Sequence, residues 1–170
     1  VTPAELARLQ EDTRHEQFFF DAPTVRRLVG RATAFGHPLL VCMPSLAVHL
    51  HAAGQPATLL DRDRRFRSLP GFERWDLLQP HMVFGDHDAI FIDPPFANIT
   101  PGQLARAVEL LVGGMPRQPA LFVCHLRERE PELQRHLAGF GLQRLGPPLG
   151  YRSVKAATQA RIHLFGPASA

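Results

Sequence analysis

The sequence predicts an α/β fold built on a mostly parallel sheet, and three observations predict it. Short apolar runs alternate with amphipathic segments along most of the 170 residues, the pattern of parallel strands joined by crossover helices. The first four runs lead into polar residues, at Ser45, Asp61, Asp76 and Asp93. The last two runs, Leu142 to Leu145 and Arg161 to Leu164, are joined by a long polar loop with Pro and Gly and read as a hairpin-like pair. The sheet is therefore expected to close on a C-terminal antiparallel strand.

Taken in order, residues 4–13 read as a short helix. Gln17-Phe18-Phe19-Phe20 is too apolar to be left in water. Asp21 is placed to cap a helix starting at Ala22-Pro23, with proline in the first turn where its missing N–H is harmless. Val25, Leu28 and Val29 give that helix an apolar side, and Gly36-His37-Pro38 ends it. The run from Pro38 to Met43 is continuous and apolar, as in a strand buried on both faces. Pro44-Ser45 opens a helix through His51, closed by Gly54. Residues 57–60 read as a second strand ending at Asp61, residues 72–78 as a third with Asp76 near its exit, and residues 89–92 as a fourth. Thr100-Pro101 starts a helix carrying Leu104, Val108 and Leu111 that stops at Gly113-Gly114. Residues 120–124 form a fifth strand and 131–140 another helix. The arginine-rich segment 62–71 has no clear element.

Composition bounds the function. The net charge is +3, and arginine supplies all of the basic side chains except Lys155. Arginine suits phosphates and carboxylates because its planar fork binds them bidentately; the excess is modest and permits nucleic acid without demanding it. No window reaches the roughly 18 apolar residues of a membrane span, and the polar N-terminus lacks a secretory pattern, so a cytoplasmic location is expected. The length suits a single domain over residues 1–170, with residues 1–35 supplying N-terminal helices and the aromatic entry segment. Cys42 and Cys124 sit in apolar runs and read as buried thiols of a reducing compartment. Neither they nor the nine histidines show metal-ligand spacing, so no metal is expected.

In an open α/β sheet, ligands bind beyond the carboxyl ends of the strands. Met43-Pro44-Ser45, Asp61, Asp76 and Asp93 all fall there. An acidic residue after the second strand suits ribose hydroxyls, since a carboxylate accepts from both. The first turn lacks G-x-G-x-x-G, which counts against a pyrophosphate and not against a nucleoside without phosphates, such as S-adenosylmethionine. The fourth strand runs into Asp93-Pro94-Pro95-Phe96. The prolines fix φ near about −65° and donate no N–H. A carboxylate and a proline carbonyl can take the hydrogens of an amino group while the ring covers a flat group.

These residues together resemble the N6-adenine-methyltransferase-like family, which includes lysine methyltransferases of a translation elongation factor and a zinc-knuckle ribosomal-RNA adenine methyltransferase. Gln17-Phe18-Phe19-Phe20 resembles the family's Gln-Phe-aromatic-aromatic entry. Met43-Pro44-Ser45 is similar to its glycine-poor first loop. Asp61-Arg62-Asp63-Arg64-Arg65-Phe66 is similar to its Asp-x-Asp-Lys-Arg-Phe segment, and Asp93 to Phe96 to its Asp-Pro-Pro-aromatic motif; the end, with Arg152, fits more loosely. The zinc-knuckle cysteines are not present. The resemblance implies a class I methyltransferase fold, a Rossmann-like three-layer sandwich. It implies S-adenosylmethionine held by Gln17, Phe18, Phe20, Met43, Pro44, Ser45, Asp61 and Asp76, and an acceptor clamp made of Asp93, Pro94, Pro95 and Phe96. Arg62, Arg64, Arg65 and Arg152 are expected on the substrate side, with Arg67, Arg127 and Arg129 extending a basic face. The expected substrate is adenine N6 of nucleic acid, RNA before DNA. The alternatives are a lysine of a translation factor and a non-catalytic binding module with the same fold.

Overall fold

The apolar runs become a seven-stranded sheet: β1 (Pro38–Val41), β2 (Thr58–Asp61), β3 (Phe72–Arg74), β4 (Ala89–Ile92), β5 (Ala120–Leu126), β6 (Gln143–Leu145) and β7 (Ile162–Gly166). The structure is a computed structural model and describes residues 1–168. Strand order is β3-β2-β1-β4-β5-β7-β6. The first five strands pair in parallel. β7 enters between β5 and β6, antiparallel to both, so it is the one strand reversed relative to the rest.

Six helices lie around this sheet: α1 (Pro3–Arg8), α2 (Ala22–Ala32), α3 (Pro44–Ala52), α4 (Pro101–Gly113), α5 (Glu130–His136) and the single turn α6 (Ala156–Gln159). Alternation along the strands divides the core. Leu40, Phe91 and Phe122 point to the layer of α1, α2 and α3, where they meet Leu6, Leu28 and Leu46. Leu39, Ile90 and Leu121 point the other way, onto Leu104, Val108 and Leu111 of α4 and Leu133 of α5. β1 and β4 are buried at every residue, which explains their unbroken hydrophobicity. The cross-strand partners Phe91 and Phe122 stack with ring centroids 4.5 Å apart.

The helix starts follow local chemistry. Asp21 accepts from the Thr24 N–H at 2.9 Å and caps α2. Thr100 and Gln103 form a reciprocal capping box on α4, which satisfies two donors the helix cannot pair internally. Other boundaries differ from expectation. The first helix stops at Arg8 rather than residue 13, and Thr13–His15 forms a separate 3₁₀ turn. The third strand has three residues, because the chain turns at Asp76, whose Oδ1 accepts from the Leu78 N–H. The segment read as a helix over 131–140 is α5 followed by a 3₁₀ turn at Ala138–Phe140. No helix among the described residues is long and apolar enough to cross a membrane.

Strand order reverses between β1 and β4, and a crevice opens beyond their carboxyl ends, as the topology requires.

Candidate active site

A cavity of about 1240 Å³ fills that crevice, large enough for a nucleoside-sized cofactor together with an acceptor. Its lining includes Cys42 and Pro44 from the β1–α3 turn, Asp61 from β2, Trp75 to Leu78 from the β3 exit and Asp93 to Phe96 from the β4 exit. An N-terminal strap, residues 10–18, forms another wall, and Tyr151, Ser153 and Lys155 close the remaining side.

The β1–α3 turn contains no glycine, yet Cys42 takes a left-handed backbone, φ 57°. A non-glycine residue there is uncommon, and the turn sends α3 away under the cavity floor. The Cys42 thiol is pushed well above its ordinary pKa, chiefly by burial and then by Asp61 and Asp93, which favours the protonated thiol. Asp61 is 5% exposed. Its Oδ1 accepts from the Asp63 N–H at 2.8 Å, and burial raises its pKa to about 6. Asp63 anchors the strap: Arg65 grips its carboxylate at 2.7 Å, and the Gln17 amide donates to it at the same distance. Arg65 also donates to the Gln10 carbonyl and to Gln17 Oε1. The strap is joined to the β4 exit by Asn98, which donates to Glu16 Oε2 at 3.0 Å.

Asp93 lies deepest. Its backbone N–H continues the sheet by donating to the Val41 carbonyl. Its carboxyl touches the cavity but is otherwise sunk in protein, and burial raises its pKa to about 8 against a smaller opposing effect of the Tyr151 hydroxyl. That hydroxyl donates to Asp93 Oδ1 at 3.0 Å. The Pro95 carbonyl is taken by the Asn98 N–H, while the Pro94 carbonyl has no such partner among the described residues. The Phe96 ring stands 4.9 Å from the His125 imidazole.

Most of the expected site residues meet here. Gln17, Phe18, Pro44, Asp61, Asp76, Arg62, Arg64, Arg65 and the four residues 93–96 all line the cavity. Four expected residues stand off it. Phe20 is buried against the Tyr151 ring, 4.7 Å between centroids. Met43 is 1% exposed and Ser45 2% exposed, both behind the turn, because the left-handed step at Cys42 turns their side chains into the core. Arg152 is drawn to the carbonyls of Leu6, Ala7 and Leu9 at 3.1–3.2 Å and lies over the Phe19 ring. It closes the C-terminal end of α1 instead of facing a substrate. Arg127 and Arg129 sit after β5 and line no part of this cavity. Sequence reading missed Tyr151, which is the sole tyrosine but lies in an irregular loop with no motif around it. It missed Trp75 and Leu77 as well, which looked like strand.

A sheet in this order, with a polar cavity at the switch point of its parallel strands, defines a class I, Rossmann-like methyltransferase. The chain belongs to the family described as probable N6-adenine methyltransferase, whose profile matches residues 11–144, and it is an S-adenosylmethionine-dependent methyltransferase. No curated protein matches it in sequence. Solved structures share the fold at low identity. The N-methyltransferase NodS of Bradyrhizobium japonicum, in complex with S-adenosylhomocysteine, is 14% identical with a TM-score of 0.61, over 96% of this chain and 95% of that one. Thermoplasma acidophilum 1320 is 16% identical with a TM-score of 0.58, over 96% and 93%. The magnesium protoporphyrin IX methyltransferase of Synechocystis, with bound S-adenosylmethionine, is 16% identical with a TM-score of 0.55, over 86% and 79%.

The donor set suits this cofactor. Asp61 would meet ribose hydroxyls with a buried carboxylate, the edges of Trp75 and Leu77 that line the cavity would flank a flat base, and the glycine-free turn makes no phosphate cradle.

Proposed function

We propose that the chain methylates the N6 amino group of adenine in RNA, with Asp93, Pro94, Pro95 and Phe96 as the acceptor clamp. The observation that carries this reading is the β4 exit, where the Asp93 carboxyl, Pro94 with a carbonyl that has no partner among the described residues, and a half-buried aromatic ring line one cavity. Asp61, Asp76, Gln17, Phe18 and Pro44 hold the cofactor on the side nearer β2. The cofactor supplies a methyl group on a sulfonium, open to in-line attack.

The chain's own work is positional. Holding the acceptor nitrogen about 3–3.5 Å from the methyl carbon, in line, accounts for much of such a rate enhancement. Tyr151 occupies Oδ1 of Asp93, which leaves Oδ2 to accept from one amino hydrogen, and the Pro94 carbonyl accepts the other. Two acceptors on the two hydrogens aim the nitrogen lone pair away from the loop. Phe96 stacks on the base, a contact worth roughly 1–3 kcal/mol. The adenine amino group is neutral, so no proton is removed before attack. A lysine ammonium would need deprotonation first, at a cost of roughly 4–5 kcal/mol at pH 7 from its ordinary pKa.

Protein lysine, on a translation factor, is the second reading. It is favoured by the strap, whose Glu16 lines the cavity and would attract a basic peptide. The same rim carries Arg14, Arg62 and Arg64. This mixed rim fits a structured RNA presenting one unpaired adenine better than a long duplex. Radiolabelled methyl transfer into cell extract, followed separately by nuclease and protease, decides between the readings. Label lost to nuclease supports adenine; label that resists nuclease and is lost to protease reverses the order.

A further inference from the structure

A second cavity, about 240 Å³, lies on the far side of Phe96, between the N-terminus of α4 and the 3₁₀ turn after β5. Phe96 belongs to both cavities. Asn98, Gln103, His125, Arg129 and Glu132 contribute its polar wall.

His125 is the unusual member. It is 2% exposed. The Leu126 N–H donates to its Nδ1 at 2.9 Å, so Nδ1 carries no hydrogen and the neutral ring keeps its proton on Nε2. That Nε2 donor is buried and has no partner among the described residues. Burial also holds the ring neutral, with its pKa lowered to about 4. Ser45 Oγ and His163 Nδ1 are likewise buried without partners, but neither residue lines either of the two cavities. A buried donor left unpaired is costly, and beside an acceptor loop its natural partner is part of the substrate.

The wall favours an uncharged, flat group. The His125 ring is neutral, and Arg129 and Glu132 neutralise each other in an ion pair at 2.7 Å. Phe96 leans on the imidazole at a 46° tilt, so a base entering beside it would find the imidazole face to stack on. We infer that this cavity is a subsite for the nucleobase next to the methylated adenine, with His125 donating from Nε2 to a carbonyl oxygen or ring nitrogen of that base. The inference rests on adenine in RNA as the acceptor. It makes His125 a positioning and sequence-selecting residue, since only bases that present an acceptor at that point complete the bond.

The test compares adenosine with the RNA dinucleotide adenylyl-adenosine. Each is titrated into wild-type protein and into the His125→Phe and His125→Gln variants, all saturated with S-adenosylhomocysteine. Wild type should bind the dinucleotide about tenfold more tightly than adenosine. His125→Phe should lose that gain and keep its adenosine and cofactor affinities, and His125→Gln, which retains an N–H donor, should recover part of it. In wild type the His125 Nε2–H NMR resonance should move with the dinucleotide and stay put with adenosine, a readout that does not depend on a variant folding. If adenosine binds and the dinucleotide gains nothing, or gains equally in His125→Phe, the subsite is refuted and the adenine reading stands. If adenosine does not bind to cofactor-loaded wild type, the adenine reading fails and the subsite fails with it.

Discussion

Asp93 is expected in a strand-end motif, but its chemistry comes from what surrounds it. A carboxyl whose pKa is raised to about 8 is mostly neutral at pH 7 and a better acceptor once ionised. kcat/KM should therefore climb through neutral pH with its midpoint near pH 8 and level off above about pH 9, since that ratio reports the free enzyme's titration. Asp93→Ala should abolish methyl transfer while leaving the circular dichroism spectrum and cofactor binding intact; retained turnover would move the acceptor site elsewhere. Tyr151 sharpens the same test. Its hydroxyl stabilises the ionised carboxylate, so Tyr151→Phe should shift the kcat/KM profile to higher pH and reduce the rate at pH 7 more than at pH 9. An unshifted profile would mean that the hydroxyl does not act through Asp93. Asp93 was readable from sequence because proline, aromatic ring and carboxylate are consecutive. Tyr151 was not, because it reaches Asp93 across 58 positions of the chain by a loop whose course is set only by the packed sheet.

Among the elements, the strands were legible to within a residue or two where burial on both faces demanded continuous apolar runs, as in β1 and β4. The edge was harder. β3 pairs only with β2 and is mostly exposed, so hydrophobicity did not mark where it ends, and Trp75 and Leu77 are apolar because they wall the cavity and core rather than because they extend the strand. The entry to β3 depends on Gly71, with φ +79°, where a Cβ would collide with the Ala57 carbonyl. Gly71→Ala should lower stability by about 2 kcal/mol or more and weaken cofactor binding through Asp61, which pairs in register with Arg74. Thermal melting with and without S-adenosylhomocysteine checks both, and an unchanged melting temperature would show that the turn can relax. The N-terminal strap is held by Gln17, Asp63 and Arg65. Sequence placed Gln17 on the cofactor and Arg65 on the substrate; the structure adds that the two also clasp each other over the site.

For the molecule as a whole, two kinds of buried titratable group oppose one another. Asp61 and Asp93 have raised pKa values. The folded state therefore holds their protons to higher pH than the unfolded chain, and stability falls as pH rises from about 4 towards 8. His87 and His125 have lowered values. The unfolded chain binds their protons first, and stability falls as pH drops below about 6.5. Below about pH 6.5 the two effects oppose each other; above it the aspartates act alone, so stability should decline from there towards pH 8, and Asp93→Asn should flatten that decline. A melting temperature in Asp93→Asn that falls with pH as steeply as in the wild type would contradict this assignment. Sequence alone determined the α/β alternation, the order of polar strand ends and the Asp93-Pro94-Pro95-Phe96 exit of β4, because hydrophobic period, helix caps and proline geometry act within a few residues. Only the tertiary structure decided which side chains reach the cavity. Met43, Ser45, Phe20 and Arg152 turn away from it, while Tyr151, Trp75 and His125 turn towards its loops, since the direction of a side chain depends on a left-handed step at Cys42, on the neighbouring strand's register and on partners more than a hundred residues away.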